Sequence, residues 1–270
     1  MKLIVFTKHF MKRPLSRLVE DLIHVGAEGA DMAIRDGYHV EPANVEKKLP
    51  KVKKVFKEAG LHIPMATSPG AFTDPADTVA EKLVASLAAS DIRLLKIGYW
   101  VVRDGYYALL DKARRELEGW CRLSEKYGVK ILLHTHSGPY LASNAASMMD
   151  LLEGVNPAHA GAYLDTAHIS VSGEPLSMAF EILKEYLAVI AVKDFAAKRT
   201  LVDGKKGWKR RIVPVGEGFG EWNILGGLMA KYNFDGPVSF HSEYTGYGIR
   251  KIINQTKRDI EFFRTEVLHK

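Results

Sequence analysis

The stretch "LIVFTKHF", Leu3 to Phe10, decides the fold. Its first residues form a short, continuous apolar run, the pattern of a strand buried on both faces of a parallel sheet. A doubly wound dinucleotide fold would follow that strand with Gly-x-Gly-x-x-Gly. Here Thr7, Lys8 and His9 occupy the turn instead. The open sheet is therefore the second choice, and the rest of the chain points to a closed barrel.

Seven more runs of the same kind follow: "ADMAIR" (30–35), "HIPMAT" (62–67), "RLLKIG" (93–98), "KILLH" (130–134), "AGAYLD" (160–165), "LAVIAVK" (187–193) and "GPVSFH" (236–241). Helix-length amphipathic segments separate them. "PLSRLVEDLIHVG" (14–26) opens on Pro and closes on Gly, the usual asymmetry of helix ends. "NVEKKLPKVKKVFKEAG" (44–60) sets Val45, Leu49, Val52 and Val55 on one face and lysines on the other, a solvated helix face. The longest helical patterns are 105–128 and 245–267. Strand and helix alternating eight times, at intervals of about 30 residues, predict an α/β fold, a (β/α)8 TIM barrel. No linker interrupts the chain, so residues 1–270 are expected to form a single domain.

Composition excludes several classes. The chain has 270 residues, 47% hydrophobic and 26% charged, which is ordinary for a globular domain with a large core. Cys121 is the sole cysteine, so no internal disulfide can form, and its setting beside Trp120 suits a small core residue. The N-terminal apolar run is too short for a signal peptide, and no segment reaches roughly 18 unbroken apolar residues. A cytoplasmic location without membrane contact is expected. The formal net charge is +6. A good part of it falls between Phe195 and Trp222, in Lys198, Arg199, Lys205, Lys206, Lys209, Arg210 and Arg211. That segment reads either as a cationic lid loop over an anionic substrate or as a solvated loop tip.

Barrel enzymes build their sites at the C-terminal ends of the strands. Those ends carry His9; Arg35 and His39; Thr67 and Ser68; Lys96 and Tyr99; His134 and His136; Asp165 and His168; Lys193 and Asp194; His241 and Glu243. His9, His39, His134, His136, His168 and His241 are six of the ten histidines. Imidazoles and carboxylates arriving from several strands suit a divalent metal: Mn, Co, Zn or Fe, with Mg less suited to histidine. Such an ion polarises a carbonyl while a neighbouring carboxylate or imidazole moves a proton. Strand period puts His134 with His136, His241 with Glu243, and Ala191 with Lys193 on shared faces. In "YLDTAH" the chain must turn after Asp165 to bring His168 round, which makes Asp165 the better direct ligand and His168 a supporting partner.

Taken together, "GADMAIRDGYHVEP" (29–42), "LLHTHSG" (132–138), "YLDTAH" (163–168), "VIAVKDF" (189–195), "VPVGEGFGEW" (213–222) and "SFHSEY" (239–244) resemble the sugar-phosphate isomerase/epimerase family with the xylose-isomerase-like barrel. Relatives there include ketose 3-epimerases, hydroxypyruvate isomerases and inositol-catabolic enzymes. The resemblance spans nearly the whole chain. It implies a metal held by Glu, Asp, His and Glu from strands five to eight, with the two glutamates as acid and base. By position, Asp165 and Glu243 match, whereas the first Glu falls on His134 and the His on Ala191.

The resemblance thus implies a metal-assisted isomerase or epimerase of a small sugar, sugar acid or sugar phosphate, with a homo-oligomer as its expected assembly. His134, Asp165 and Glu243 would hold the ion, and Glu243 and His134 would carry protons. His136, His168 and His241 are the supporting or alternative ligands. Arg35, His39, Lys96 and Lys193 would bind substrate oxygens or an anionic group. The competing readings are a metal-free isomerase with Lys193 as the cation, a non-catalytic sugar-binding barrel, a keto-inositol dehydratase and an abasic-site endonuclease. The last needs a multi-zinc cluster with more His and Glu ligands than the sequence places, so no nucleic-acid partner is expected.

Overall fold

The computed structural model describes residues 1–202 and 204–269. Eight parallel strands close into a barrel: β1 (Lys2–Phe6), β2 (Gly29–Ala33), β3 (His62–Thr67), β4 (Leu94–Lys96), β5 (Lys130–His134), β6 (Ala160–Asp165), β7 (Leu187–Val192) and, after an intervening hairpin, β10 (Pro237–Phe240). β10 pairs with both β7 and β1, which completes the ring. Each of the eight apolar runs coincides with one of these strands to within two residues at either end. Among the described residues no helix is long and apolar enough to cross a membrane.

The helices wrap the outside because each presents one apolar stripe to the strands. α1 (Leu15–His24) starts at Pro14, and the chain leaves it through Gly26 at φ 77°. α2 (Val45–Glu58) buries Val45, Leu49, Val52 and Phe56, so Phe56 and not Val55 completes the stripe. A spacing of four, three and four residues follows the helical period more closely than the sequence reading did. Cys121 is half-buried in the long helix at Tyr106–Tyr127, where burial raises its thiol pKa to about 11.

The barrel interior is a packed layer of Ile4, Met65, Leu132, Tyr163, Val189 and Ala191. That layer floors the site, because the polar side chains lie nearer the C-terminal ends of the strands.

The Phe195–Trp222 segment departs from its reading as a loop. β8 (Asp194–Val202) and β9 (Lys205–Val213) form an antiparallel ribbon outside the barrel. Its base is fixed by Asp194, which is fully buried. The Asp194 carboxylate accepts from the backbone N–H groups of Phe195, Gly216, Gly218 and Gly220 at 2.9–3.1 Å and from Trp222 Nε1 at 2.8 Å. This explains the glycines of "VPVGEGFGEW": a Cβ at Gly218 would lie 2.3 Å from Asp194 Oδ1. The seven basic side chains of the ribbon are all exposed.

Candidate functional site

Asp165 is the hinge of the site. It ends β6 and caps the short helix Thr166–Ser172, its Oδ1 accepting from the N–H groups of Ala167 and His168 at 3.0 and 3.1 Å. The helix begins immediately, so three residues bring His168 back over the carboxylate. Its Nε2 lies 3.9 Å from Asp165 Oδ2. Oδ2 is then free to face the barrel axis. Lys193 Nζ approaches it to 3.0 Å and His134 Nε2 to 3.5 Å.

Lys193 follows β7 on the same face as Ala191, as the two-residue period requires. Its ammonium, 3.0 Å from Asp165, also lies 3.3 Å from Glu243 Oε2 and 3.0 Å from His168 Nε2. Glu243 accepts from Lys8 as well. Ser137 Oγ and His168 Nδ1 are hydrogen bonded at 2.8 Å, fixing the other side of that imidazole. One buried ammonium thus stands between the two carboxylates that the family resemblance assigns to a metal.

The electrostatics are consistent with this arrangement. Burial by itself would raise the Asp165 and Glu243 carboxyls, but the neighbouring cationic groups, Lys193 first, outweigh it and hold both below the usual range. Burial would likewise lower Lys193, yet the same two carboxylates raise it. Desolvation drives the imidazoles the other way. His134 falls to about 3, His136 to about 4 and His168 to about 2, so all three are neutral at pH 7.

The implied four-ligand metal set does not fit this chain. Ala191 is fully buried in the barrel floor, in register with Asp165 on one side and Ser239 on the other, and offers no donor. Glu243 is engaged by two ammonium groups. The donors that come within 4.8 Å of one another, among the described residues, are His134, Asp165 and His241. In that group His134 Nε2 and Asp165 Oδ2 are buried without a hydrogen-bond partner, the ion pair with Lys193 aside. His241 Nε2 is hydrogen bonded to the Tyr163 hydroxyl at 2.7 Å.

His134, His241, Lys193 and Glu243 line a cavity of about 140 Å³ at the mouth of the barrel, together with Arg35, Lys96, Tyr99 and His136, while Asp165 is fully buried outside that lining. His39 does not reach it. The chain turns after β2, and His39 Nε2 bonds the Arg13 carbonyl oxygen at 2.7 Å. Three contributors escaped the sequence reading. Lys8 reaches Glu243 from the first strand's end. Tyr163 reaches His241 and, at 3.0 Å, Asp31 Oδ2. Asp31 is fully buried and also takes Thr67 Oγ1 at 2.6 Å and Ser239 Oγ at 3.3 Å. A carboxylate inside the apolar run "ADMAIR" was the available signal.

Solved structures share the whole architecture at low identity. D-psicose 3-epimerase from Clostridium cellulolyticum H10, solved with D-tagatose, superposes with a TM-score of 0.75 at 14% identity, covering 99% of each chain. The 3-keto-D-glucoside 4-epimerase from E. coli gives 0.75 at 13%, covering 98% of this chain and 99% of that one. The probable 3-DHS dehydratase of petrobactin synthesis from Bacillus anthracis gives 0.71 at 17%, with coverage of 98% and 99%. No curated protein sequence matches. The model of the xylose isomerase-like TIM barrel matches residues 19–266, and the chain belongs to that family.

Proposed function

We propose that the chain is a carbohydrate isomerase or epimerase that moves a proton on a carbon beside a carbonyl, with the Lys193 ammonium in the place of a divalent ion. The observation that carries this reading is the contact of Lys193 Nζ with both Asp165 and Glu243, at 3.0 and 3.3 Å. Epimerases among the structural neighbours support the reaction class.

The chemistry follows from the charges. A base removes the proton, the C–H electron pair moves into the C–C bond, and the carbonyl π pair moves onto oxygen, giving an enediolate. Lys193 donates to that developing oxyanion, an electrostatic role worth several kcal/mol in a water-poor cavity. As the ammonium turns toward substrate, Glu243 loses part of the charge that suppresses its basicity. Glu243 and His134, both at the cavity wall, are then the groups that take and return the proton. His134 Nδ1 is hydrogen bonded to the Tyr99 hydroxyl at 3.1 Å, which leaves Nε2 toward the cavity.

A second reading keeps a divalent ion (Mn, Co, Zn, Fe or Mg) on His134, Asp165 and His241. It is favoured by His134 Nε2 and Asp165 Oδ2, two buried donor atoms that no hydrogen bond engages, although Oδ2 is ion-paired with Lys193. An ion there would polarise the substrate carbonyl.

Proton NMR in deuterated water with a panel of ketoses, sugar acids and sugar phosphates, with and without chelator, tests the proposal. Deuterium uptake beside a carbonyl that persists in chelator and falls by about 100-fold or more in Lys193→Met supports it. Uptake that requires added metal supports the second reading. No uptake across the panel leaves a sugar-binding barrel and refutes both.

A further inference from the structure

We infer that Lys96 and Arg35 form an anion subsite in the cavity, for a carboxylate or phosphate carried by the carbohydrate ligand. This rests on the proposed carbohydrate function and narrows its substrate class.

Two cationic atoms in the cavity wall are buried and lack any hydrogen-bond partner: Lys96 Nζ and Arg35 Nε. Lys96 is 1% exposed, and its Nζ sits 3.4 Å from the centroid of the Tyr99 ring. A ring face attracts an ammonium but leaves its N–H donors without acceptors. The Arg35 guanidinium lies 5.4 Å over Phe6. Neither finds a free carboxylate among the described residues. Asp31 is taken by Thr67, Tyr163 and Ser239, and Glu243 by Lys8 and Lys193. Burial and then the Arg35 charge hold the Lys96 amine well below its ordinary pKa. Burial leaves the Lys96 amine without a counter-charge, and the partly exposed Arg35 guanidinium shares its wall, so the cavity is complementary to an anion that would restore the lysine's charge.

Placement gives this subsite an orientation. Around the barrel, β3 lies four strands from β7 in either direction. Lys96 ends β4 and Arg35 follows β2, so they flank β3 and face Lys193 across the cavity. A small acid held by its anionic end on Lys96 and Arg35 presents its other end to Lys193, His134 and Glu243. The seven cations of the β8–β9 ribbon take no part, since none lines the cavity.

Titration calorimetry on the full chain tests the subsite with two matched pairs of probes, and no turnover is needed. D-glucuronate against D-glucose reads a carboxylate, and D-fructose 6-phosphate against D-fructose reads a phosphate. The expected result is binding of at least one anionic probe about tenfold or more tighter than its neutral partner. In Lys96→Met that preference falls to within about twofold, while the melting temperature is unchanged or higher because an unpaired buried amine has gone. Lys205→Gln/Lys206→Gln retains it. The inference is overturned if neither acid is preferred, including the case in which neither binds. It is also overturned if the preference survives in folded Lys96→Met, or disappears in the ribbon variant. A barrel that binds the acid and exchanges no proton would keep this inference and refute the isomerase.

Discussion

Mild acid should destabilise this barrel well before its carboxylates titrate, because the site holds three neutral imidazoles that an unfolded chain would protonate. An exposed histidine has a pKa of 6.5, whereas His134, His136 and His168 sit at about 3, 4 and 2. Between pH 6.5 and about 4 the unfolded chain binds more protons than the folded one, so stability falls as pH falls. The stability is fully present above pH 6.5 and is lost toward the folded values. Each group contributes a slope of about 1.4 kcal/mol per pH unit once the unfolded form is protonated. From pH 7 to pH 5 the three together remove about 5 kcal/mol, against a typical total of about 5–15 kcal/mol. Asp165 and Glu243 are held below their usual range and add nothing in this window. Urea unfolding followed by tryptophan fluorescence at pH 7, 6 and 5 measures the slope. His168→Gln should flatten it by about a third. A stability that stays level from pH 7 to pH 5 would refute the claim that these rings are buried neutral.

Three further outcomes follow. Asp194→Ala leaves four backbone N–H groups and the Trp222 indole without their acceptor, so it should cost about 3 kcal/mol or more and release the β8–β9 ribbon to limited proteolysis. Gly29→Ala puts a Cβ 2.1 Å from the His62 carbonyl oxygen, where β2 meets β3. The barrel must shift there, and a loss of about 1–3 kcal/mol in urea unfolding is expected. Lys193→Met strands the buried Asp165 carboxylate beside Glu243 and should cost about 3–5 kcal/mol at pH 7. That deficit should shrink as the pH is lowered and the freed carboxylates take up protons.

The sequence made the barrel legible because parallel strands buried on both faces are continuous apolar runs, and none of the eight had a competing reading. It also named Asp165, Glu243, His134 and Lys193, which sit where strand period and strand ends place them. The ribbon was missed because β8 and β9 lie outside the core. Their seven basic side chains are exposed, so no apolar alternation marks them as strands. His39 was placed in the site because it lies close after β2 in sequence, but the turn there directs it to Arg13. Asp31 looked like one polar residue in an apolar strand, and its network with Thr67, Tyr163 and Ser239 joins four strands that only the closed barrel brings together. The loss of a ligand at Ala191 was visible in the sequence. That the Lys193 ammonium lies between Asp165 and Glu243 is visible only in three dimensions.

If the Lys193 ammonium, rather than a divalent ion, balances Asp165 and Glu243, the protein should retain little metal. Metal content measures it directly, on protein purified without chelator, loaded with Mn, Co, Zn or Mg and dialysed. Well below one ion per wild-type chain is expected, with a gain toward one per chain in Ala191→His/Lys193→Gln, which restores a donor and removes the competing charge. One tightly held ion per wild-type chain, undiminished by dialysis and unchanged in the double variant, would contradict that role for Lys193.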